Sequence, residues 1–191
     1  MVLSNNVKVY CTFWTRIMER EEVPVFDPET LEIVGKKYRD ELTKADIHGI
    51  VCVIVENSAN QIFMQVRSRT KKLYPGAFDL SASGFVRTNE CFEVSASREL
   101  AEEIGLVVDP SELCKKLVFR GMLAPSEYPC YTHVYKVRTD EPFEALSDEV
   151  DGGRWFALDE LRMAIQAHPR NFTRLAPLVL DQVYSPDLSI H

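Results

Sequence analysis

The sequence predicts a fold of the α/β class in which helices cover a mixed β-sheet. Three observations support this prediction. Residues 49–55 form a continuous, mostly β-branched run, which is typical of a strand buried on both faces. A turn at residues 57–60 separates this run from a second strand-like segment, 61–66, so the two segments favour a hairpin. Segments with helical composition alternate with the strand-like ones, as expected where helices pack on a sheet.

The chain begins with a segment that has no strong hydrophobic period. We expect residues 1–45 to form an N-terminal extension and residues 46–183 to form the main domain. Within the extension, the apolar stretches 25–27 and 31–35 flank the turn-rich segment 27–30. This arrangement predicts a short hairpin.

Local signals also predict the elements that follow the first two core strands. Residues 78–85 favour a short strand that is broken at Gly84. Residues 89–104 lack glycine and proline and favour a helix, with Asn89 as its N-cap and Gly105 as its end. Further strands are expected at 116–122, 131–137 and 154–158, and further helices from Asp159 to a point before Pro169 and from Thr173 to Tyr184.

Composition and charge exclude several classes of protein. The 191 residues are 46% hydrophobic and 27% charged, which is ordinary for a globular chain and excludes wholesale disorder. With 22 basic and 29 acidic residues the net charge is −7, so the chain has no general electrostatic footprint for a nucleic acid polymer or an anionic membrane. An anionic substrate would need a local cation, and a metal ion is one candidate.

The cysteines and the apolar segments indicate the compartment. Five cysteines, an odd number without any C-x-x-C spacing, argue against a disulfide framework and against a thiolate zinc site. No stretch reaches the ~18 apolar residues of a membrane helix. The first twenty residues lack the apolar run of a signal peptide. We therefore expect a cytoplasmic protein with free thiols.

Three glutamates crowd one side of the helix predicted at 89–104. At about 100° per residue, Glu99, Glu102 and Glu103 lie within an arc of ~100°. Like charges four residues apart destabilise a helix, so these carboxylates are either solvated or share a cation. Carboxylate oxygens of this kind suit Mg²⁺ or Mn²⁺. The alternative interpretation is a solvated acidic face.

The glutamates belong to a longer pattern of 23 residues. The pattern has seven positions fixed to one residue type, and chance matches to it are rarer than about 10⁻⁸ per window. On these residues the chain resembles the Nudix hydrolases. The pattern reads Gly84-x5-Glu90-x7-Arg98-Glu99-Leu100-x-Glu102-Glu103-x-Gly105-Leu106.

The resemblance implies a fold and a set of roles. The fold is an α/β/α sandwich with a mixed β-sheet, formed by the domain at 46–183. The Gly84 carbonyl and the three glutamates named above would hold Mg²⁺ or Mn²⁺, while Glu90, Arg98 and Gly105 would shape the loop–helix–loop structurally. Water would attack one phosphorus of a diphosphate, with catalytic roles for Glu99, Glu102 and Glu149. Glu99 is the first choice as general base and Glu149 the second, unless Glu149 is only a loop surface charge.

A second resemblance lies upstream of the acidic pattern. Arg67, Lys71 and Lys72, followed by Leu-Tyr-Pro-Gly, are similar to the isopentenyl-diphosphate-isomerase branch of the superfamily. In that branch the basic residues bind the substrate diphosphate, which is sensible chemistry for cations beside an anion. The alternatives for this cluster are a solvated turn or a nuclear-localisation-like run.

The isomerase activity itself is not expected. Isomerases of this branch have a catalytic Cys and a metal-binding His in a Cys-Gly-His arrangement, where this chain has Ser83-Gly84-Phe85. Ser83 is a poor replacement for the thiol. Only His48 retains an isomerase-like histidine, and alone it is more typical of a structural residue.

The sequence therefore predicts a divalent-metal-dependent hydrolase that cleaves a diphosphate linkage in a nucleoside diphosphate derivative or another organic diphosphate. The alternatives are an isomerase-like isomerase and a non-catalytic Nudix binding domain. The expected partner is a small-molecule diphosphate, with no nucleic acid polymer and no membrane. A homodimer is left open.

Overall fold

The structure, a computed structural model, describes residues 20–124, 128–141 and 148–185. In these ranges nine strands form one mixed β-sheet. The strands are β1 (Glu22–Phe26), β2 (Ile33–Tyr38), β3 (Ile47–Glu56), β4 (Gln61–Arg67), β5 (Phe78–Asp79), β6 (Ala82–Phe85), β7 (Leu117–Leu123), β8 (Cys130–Arg138) and β9 (Val150–Ala157). The helices are α1 (Phe92–Ile104), α2 (Pro110–Leu113), α3 (Leu158–Ala167) and α4 (Leu175–Tyr184).

Strand β3 is the centre of the sheet. It pairs in parallel with β8 and antiparallel with β1 and β6, and every residue in it except Glu56 is buried. One face, with Val51 and Val53, packs in a core shared with α1 and α2. The opposite face, with Cys52 and Ile54, packs in a core shared with α3 and α4. The predicted doubly buried strand and the α/β/α sandwich are therefore confirmed.

The hairpin expected between β3 and β4 exists only at its turn. Asn60 adopts a left-handed φ of 57°, and the two strands then share a single residue pair, Glu56 with Ile62. Beyond this pair, β4 forms its hydrogen bonds with β5 and β9. Strand β3 pairs with β1, β6 and β8 instead. The two strands separate because each finds partners elsewhere, and the space that opens beside them contains the site described below.

The segment 78–85 forms two strands instead of one. The break falls between Asp79 and Ala82, and Gly84 lies inside β6. Ser81 makes the crossing: its Oγ accepts a hydrogen bond from the Val55 backbone N–H (2.8 Å) and donates to the Phe63 carbonyl (2.5 Å). The predicted break at Gly84 is wrong because a side-chain hydroxyl, and not a glycine, moves the chain from β4 to β3.

The ends of the predicted helices are partly corrected. Gly105 ends α1 with a φ of 71°, and its N–H donates to the Leu100 carbonyl, as predicted. Cys91 and not Asn89 is the N-cap, because Asn89 lies inside the turn that the Glu90 N–H closes on the Arg87 carbonyl. Likewise α3 follows Ala157 as its N-cap and not Asp159, and α4 starts at Leu175 and not at Thr173.

The N-terminal hairpin is present and joins the main sheet. The Asp27 side chain accepts hydrogen bonds from the Glu29 and Thr30 backbone N–H groups, which fixes the predicted turn. Strand β1 pairs with β2 on one side and with β3, at residues 47–48, on the other. Among the described residues no helix is long and apolar enough to cross a membrane.

Candidate active site

An open cleft of about 1060 Å³ lies where β3 and β4 diverge. It is lined by residues of α1 and β6, by the loop after β4, by Asp79, by the residues at the start of α4, and by residues at the two ends of the N-terminal hairpin. The sequence pattern is therefore placed at a cavity large enough for a small-molecule ligand.

Gly84 and Glu99 form the closest contact between β6 and α1. A Cβ atom built on Gly84 would lie 1.9 Å from Glu99 Oε1, so no other residue type fits while the carboxylate keeps this position. The Glu99 side chain is thereby pressed against the strand, and the residue is only 7% exposed. This packing explains why the pattern requires a glycine at position 84, fifteen residues before Glu99.

Glu103 lies deeper than Glu99, one helical turn further on. It is 4% exposed, and its Oε2 accepts hydrogen bonds from the Ser83 backbone N–H and from Gln65 Nε2, both at 2.9 Å. Burial raises the pKa of Glu103 well above its ordinary value, and the neighbouring charge of Glu99 adds to this effect. The two hydrogen bonds oppose this rise in the pKa but do not cancel it.

Arg98 ties the loop before α1 to the helix. Its Nε lies 3.1 Å from both Glu90 carboxylate oxygens, and its Nη2 donates a hydrogen bond of 3.1 Å to the Phe85 carbonyl. Ser95 Oγ donates to the same glutamate at 2.6 Å. Although burial alone would raise the pKa of Glu90, the hydrogen bonds from Arg98 and Ser95 bring it below its usual value. The structure thus brings Glu90 and Arg98 together, in the arrangement that the resemblance implies.

The same guanidinium also faces two of the glutamates on the cleft side. Arg98 Nη1 lies 2.6 Å from Glu99 Oε1 and 3.3 Å from Glu102 Oε2. Glu102 lies at the rim, with its side chain 45% exposed. Burial raises the pKa of Glu99 to about 7, while Arg98 opposes the rise. Burial therefore favours the neutral form of Glu99 even though Arg98 lies beside it.

The donor set fits a hard divalent cation, although the side chains do not yet converge on one point. Within the described ranges no three acidic, histidine or cysteine side chains stand close enough to hold a metal ion. Arg98 supplies the positive charge between Glu99 and Glu102 instead. Carboxylate oxygens from three glutamates on one helix, beside the backbone of Gly84, are nevertheless the ligand type that Mg²⁺ and Mn²⁺ prefer.

The predicted substrate-binding cations divide into two groups. Arg67 and Lys71 line the cleft, whereas Lys72 is not among its lining residues. Arg67 Nη1 lies 3.1 Å from Asp79 Oδ2, and Lys71 Nζ lies 2.5 Å from Glu149 Oε2. Glu149, the second choice as general base, also lines the cleft.

Asp79 is a site residue that the sequence did not indicate. It is buried, and in addition to Arg67 it accepts a hydrogen bond of 2.7 Å from Thr173 Oγ1. Burial raises its pKa, while the hydrogen bond from Thr173 and the charge of Arg67 oppose the rise. Because ninety-four residues separate Asp79 from Thr173, no local pattern could have joined them.

The hairpin also supplies cleft residues that sequence reasoning missed. Arg20, Glu21, Glu22 and Arg39 line the cleft. The Glu21 carboxylate lies 3.1 Å from the Arg39 guanidinium and 3.2 Å from that of Arg87. The only available signal was their charge, which is equally typical of a solvated surface.

His48 is near the cleft wall but does not line it. Its ring stacks on Phe85 with the centroids 4.9 Å apart. Burial lowers the pKa of His48 to about 4, so the imidazole is neutral at physiological pH. This is the environment of a packed structural histidine, as expected from the sequence.

Comparison with known proteins agrees with this geometry. The model of the NUDIX domain matches residues 46–176. A relative from Deinococcus radiodurans, described as a Nudix hydrolase, is 30% identical over 152 residues, which cover 78% of this chain and 86% of the relative. A prenyl-diphosphate phosphatase from Methanosarcina mazei is 30% identical over 145 residues, covering 73% and 82%.

Similarity in three dimensions extends over most of the chain. A crystal structure of a Deinococcus radiodurans protein superposes with a TM-score of 0.69 at 24% identity, covering 86% of this chain and 99% of the other. This likeness shows a common fold. With the domain match and the sequence relatives, it completes the evidence: the chain belongs to the Nudix family and is a Nudix-type pyrophosphohydrolase.

Proposed function

We propose that the chain is a divalent-metal-dependent hydrolase, using Mg²⁺ or Mn²⁺, that cleaves the diphosphate linkage of a nucleoside diphosphate derivative or another organic diphosphate. The observation that carries this proposal is the arrangement of the cleft. Two glutamates of α1, Glu99 and Glu102, line the same cleft as Arg67 and Lys71. Phosphoryl transfer requires charge neutralisation and in-line positioning more than covalent help, and the cleft offers groups for both.

Glu99, Glu102 and Glu103, with the Gly84 carbonyl, would hold the metal. A bound divalent cation neutralises phosphate charge and makes water more acidic. Arg67 and Lys71 bind phosphate oxygens and orient the diphosphate against α1. Glu99 remains our first choice for taking the proton of the attacking water. Glu149 is the second, since it lines the same cleft.

The relatives support the substrate class. The Methanosarcina mazei relative is named a prenyl-diphosphate phosphatase, and this name supports an organic diphosphate as the substrate. The basic cluster of this chain resembles the isomerase branch, but Ser83 and Phe85 stand where that branch has its thiol and imidazole. We therefore assign hydrolysis and not isomerisation to this cleft.

The test is a release assay for phosphate and pyrophosphate. Nucleoside di- and triphosphates, sugar nucleotides, dinucleotides and prenyl diphosphates are incubated with Mg²⁺, with Mn²⁺ or with a chelator. We expect metal-dependent release from at least one class. Absence of release from all of them, or conversion of isopentenyl to dimethylallyl diphosphate, would contradict the proposal.

Lys71→Ala is the variant that tests the basic wall. Lys71 pairs with a partly exposed carboxylate, so its loss is expected to leave the fold intact. Arg67→Ala is less suitable, because it strands the buried Asp79 without its cation and would destabilise the fold by about 3 kcal/mol. We expect Lys71→Ala to raise KM more than it lowers kcat. Lys72→Ala, which removes the same charge outside the cleft, is the matched control.

A further inference from the structure

The cations of the cleft differ in how their charges are offset. Seven basic side chains line it, and six of them are paired with carboxylates: Arg20, Arg39, Arg67, Lys71, Arg87 and Arg98. The seventh, Arg174, is exposed and has no hydrogen bond or ion pair with any residue that the structure describes. The positive charge that remains available to a ligand is therefore concentrated at Arg174.

The backbone of Arg174 is fixed even though its side chain is free. The preceding residue, Thr173, donates its backbone N–H to the Phe78 carbonyl (2.9 Å) and its hydroxyl to Asp79 Oδ1 (2.7 Å). The other oxygen of Asp79 holds Arg67 at 3.1 Å. One buried carboxylate thus sets Arg67 and the chain at Arg174 in the same wall of the cleft.

The ligand that such a wall favours is a phosphate with more than one negative charge. A phosphate that is esterified once carries about −1.5 to −2 at neutral pH and offers three acceptor oxygens. A phosphate that is bridged on one side and esterified on the other has less charge and fewer free oxygens. A planar guanidinium can bind two phosphate oxygens at once. An unpaired arginine beside two partly offset cations therefore discriminates in favour of a terminal phosphate.

We propose that Arg174, with Arg67 and Lys71, binds the terminal phosphate of the substrate. The substrate class is then a diphosphate with an organic group on one end only, in contrast to dinucleotides and sugar nucleotides, which are esterified at both ends. This inference rests on the proposed function, since it narrows the substrate of the same cleft.

A binding experiment tests the inference without requiring turnover. The probes are the monomethyl ester of methylenediphosphonate and its symmetrical dimethyl ester, neither of which can be cleaved at the bridge, titrated calorimetrically in the presence of Mg²⁺. We expect the wild type to bind the monomethyl ester more tightly. Arg174→Ala should weaken that binding about tenfold, and binding of the dimethyl ester by less than about threefold. The affinity of Arg174→Lys for the monomethyl ester should lie between those of the wild type and Arg174→Ala, because lysine keeps the charge but lacks the planar guanidinium.

Arg170→Ala is the matched control. Arg170 is exposed, lies four residues away and does not line the cleft, so its loss changes the net charge equally without touching the ligand. Equal effects of Arg174→Ala and Arg170→Ala would overturn the inference. So would equal losses for both esters, or a wild type that binds neither ester. Because Arg174 has no partner in the described part of the chain, its replacement should leave the thermal midpoint unchanged.

The outcome separates this inference from the proposed function. A wild type that binds the monomethyl ester through Arg174 but releases no phosphate from any diphosphate would support the inference and contradict hydrolysis. In an active enzyme, Arg174→Ala should raise KM for substrates with a terminal phosphate and leave kcat near the wild-type value. An active enzyme whose KM is insensitive to Arg174→Ala would overturn the inference and leave hydrolysis standing.

Discussion

Replacing Glu103 by glutamine separates stability from catalysis in this site. Glu103 is buried, and its Oε2 accepts both of its hydrogen bonds, so a glutamine oxygen can accept the same two. With the Gln65 amide rotated, its Oε1, which is buried and lacks a hydrogen-bond partner in the described structure, can instead accept from the new amide group, and this bond replaces the one from Gln65 Nε2. The variant therefore keeps the shape of the site and two hydrogen bonds at residue 103 while it removes an ionisable group.

We expect Glu103→Gln to preserve or raise the stability of the metal-free protein but to lower its turnover. Burial already favours the neutral form of Glu103, so a neutral amide in its place changes the hydrogen bonds by at most about 1 kcal/mol, and relief of the repulsion from Glu99 offsets this cost. Without metal, Glu103→Gln should thus be as stable as the wild type or more stable. At a metal concentration of about 100 Kd the wild type gains about 2.7 kcal/mol, which raises Tm by about 5–10 °C in a chain of this size. The variant should lose this gain, and turnover should fall by at least ~10².

Thermal unfolding with and without Mg²⁺, together with release assays, measures both properties. Glu112→Gln is the control, because Glu112 is an exposed glutamate outside the cleft. It should retain the metal-induced rise in Tm and full turnover. The reasoning would be refuted if Glu103→Gln kept near-normal turnover at saturating Mg²⁺, or if it unfolded well below the wild type without metal.

Two further variants test the packing of the site and of the hairpin. Gly84→Ala places a Cβ 1.9 Å from Glu99 Oε1, so it should displace that carboxylate and reduce turnover by ~10² or more, whereas Gly35→Ala, with nothing within 4 Å, should leave turnover unchanged. The second variant is Asp46→Asn. Lys37 and neighbouring donors lower the pKa of Asp46 to about 2. The stability that Asp46 contributes is therefore complete above pH ~4 and is lost as the pH falls towards 2. Urea unfolding should show about 1 kcal/mol less stability for Asp46→Asn at pH 7 and little difference at pH 2; an equal difference at both pH values would contradict this assignment.

The acidic pattern could be read from the sequence because its contacts are local. Glu99, Glu102 and Glu103 share one helix, and Gly105 ends that helix by a left-handed φ that glycine adopts without strain. Each of these features depends on neighbours within a few turns. Spacing along the chain therefore determined both the element and the face on which the carboxylates lie.

Other parts of the site depend on contacts between distant segments. The hydrogen bond between Asp79 and Thr173 and the ion pair of Glu21 with Arg39 in the cleft lining depend on sheet pairing and helix packing. Such contacts leave no periodic signal in a single sequence. The crossing at Ser81 was missed for the same reason, since its hydroxyl bridges β3 and β4 and not its own neighbours.

Hydrolysis in water enriched in ¹⁸O tests the central claim most directly. The substrate is a diphosphate that the release assay identifies, and the products are analysed by mass spectrometry with Mg²⁺ and with a chelator. Attack of water at a phosphorus of the anhydride predicts that one labelled oxygen enters one of the two phosphate-containing products only when the metal is present, and that no free organic alcohol is formed. Formation of the organic alcohol, or equal product formation in the presence of the chelator, would contradict a metal-dependent cleavage of the phosphoric anhydride.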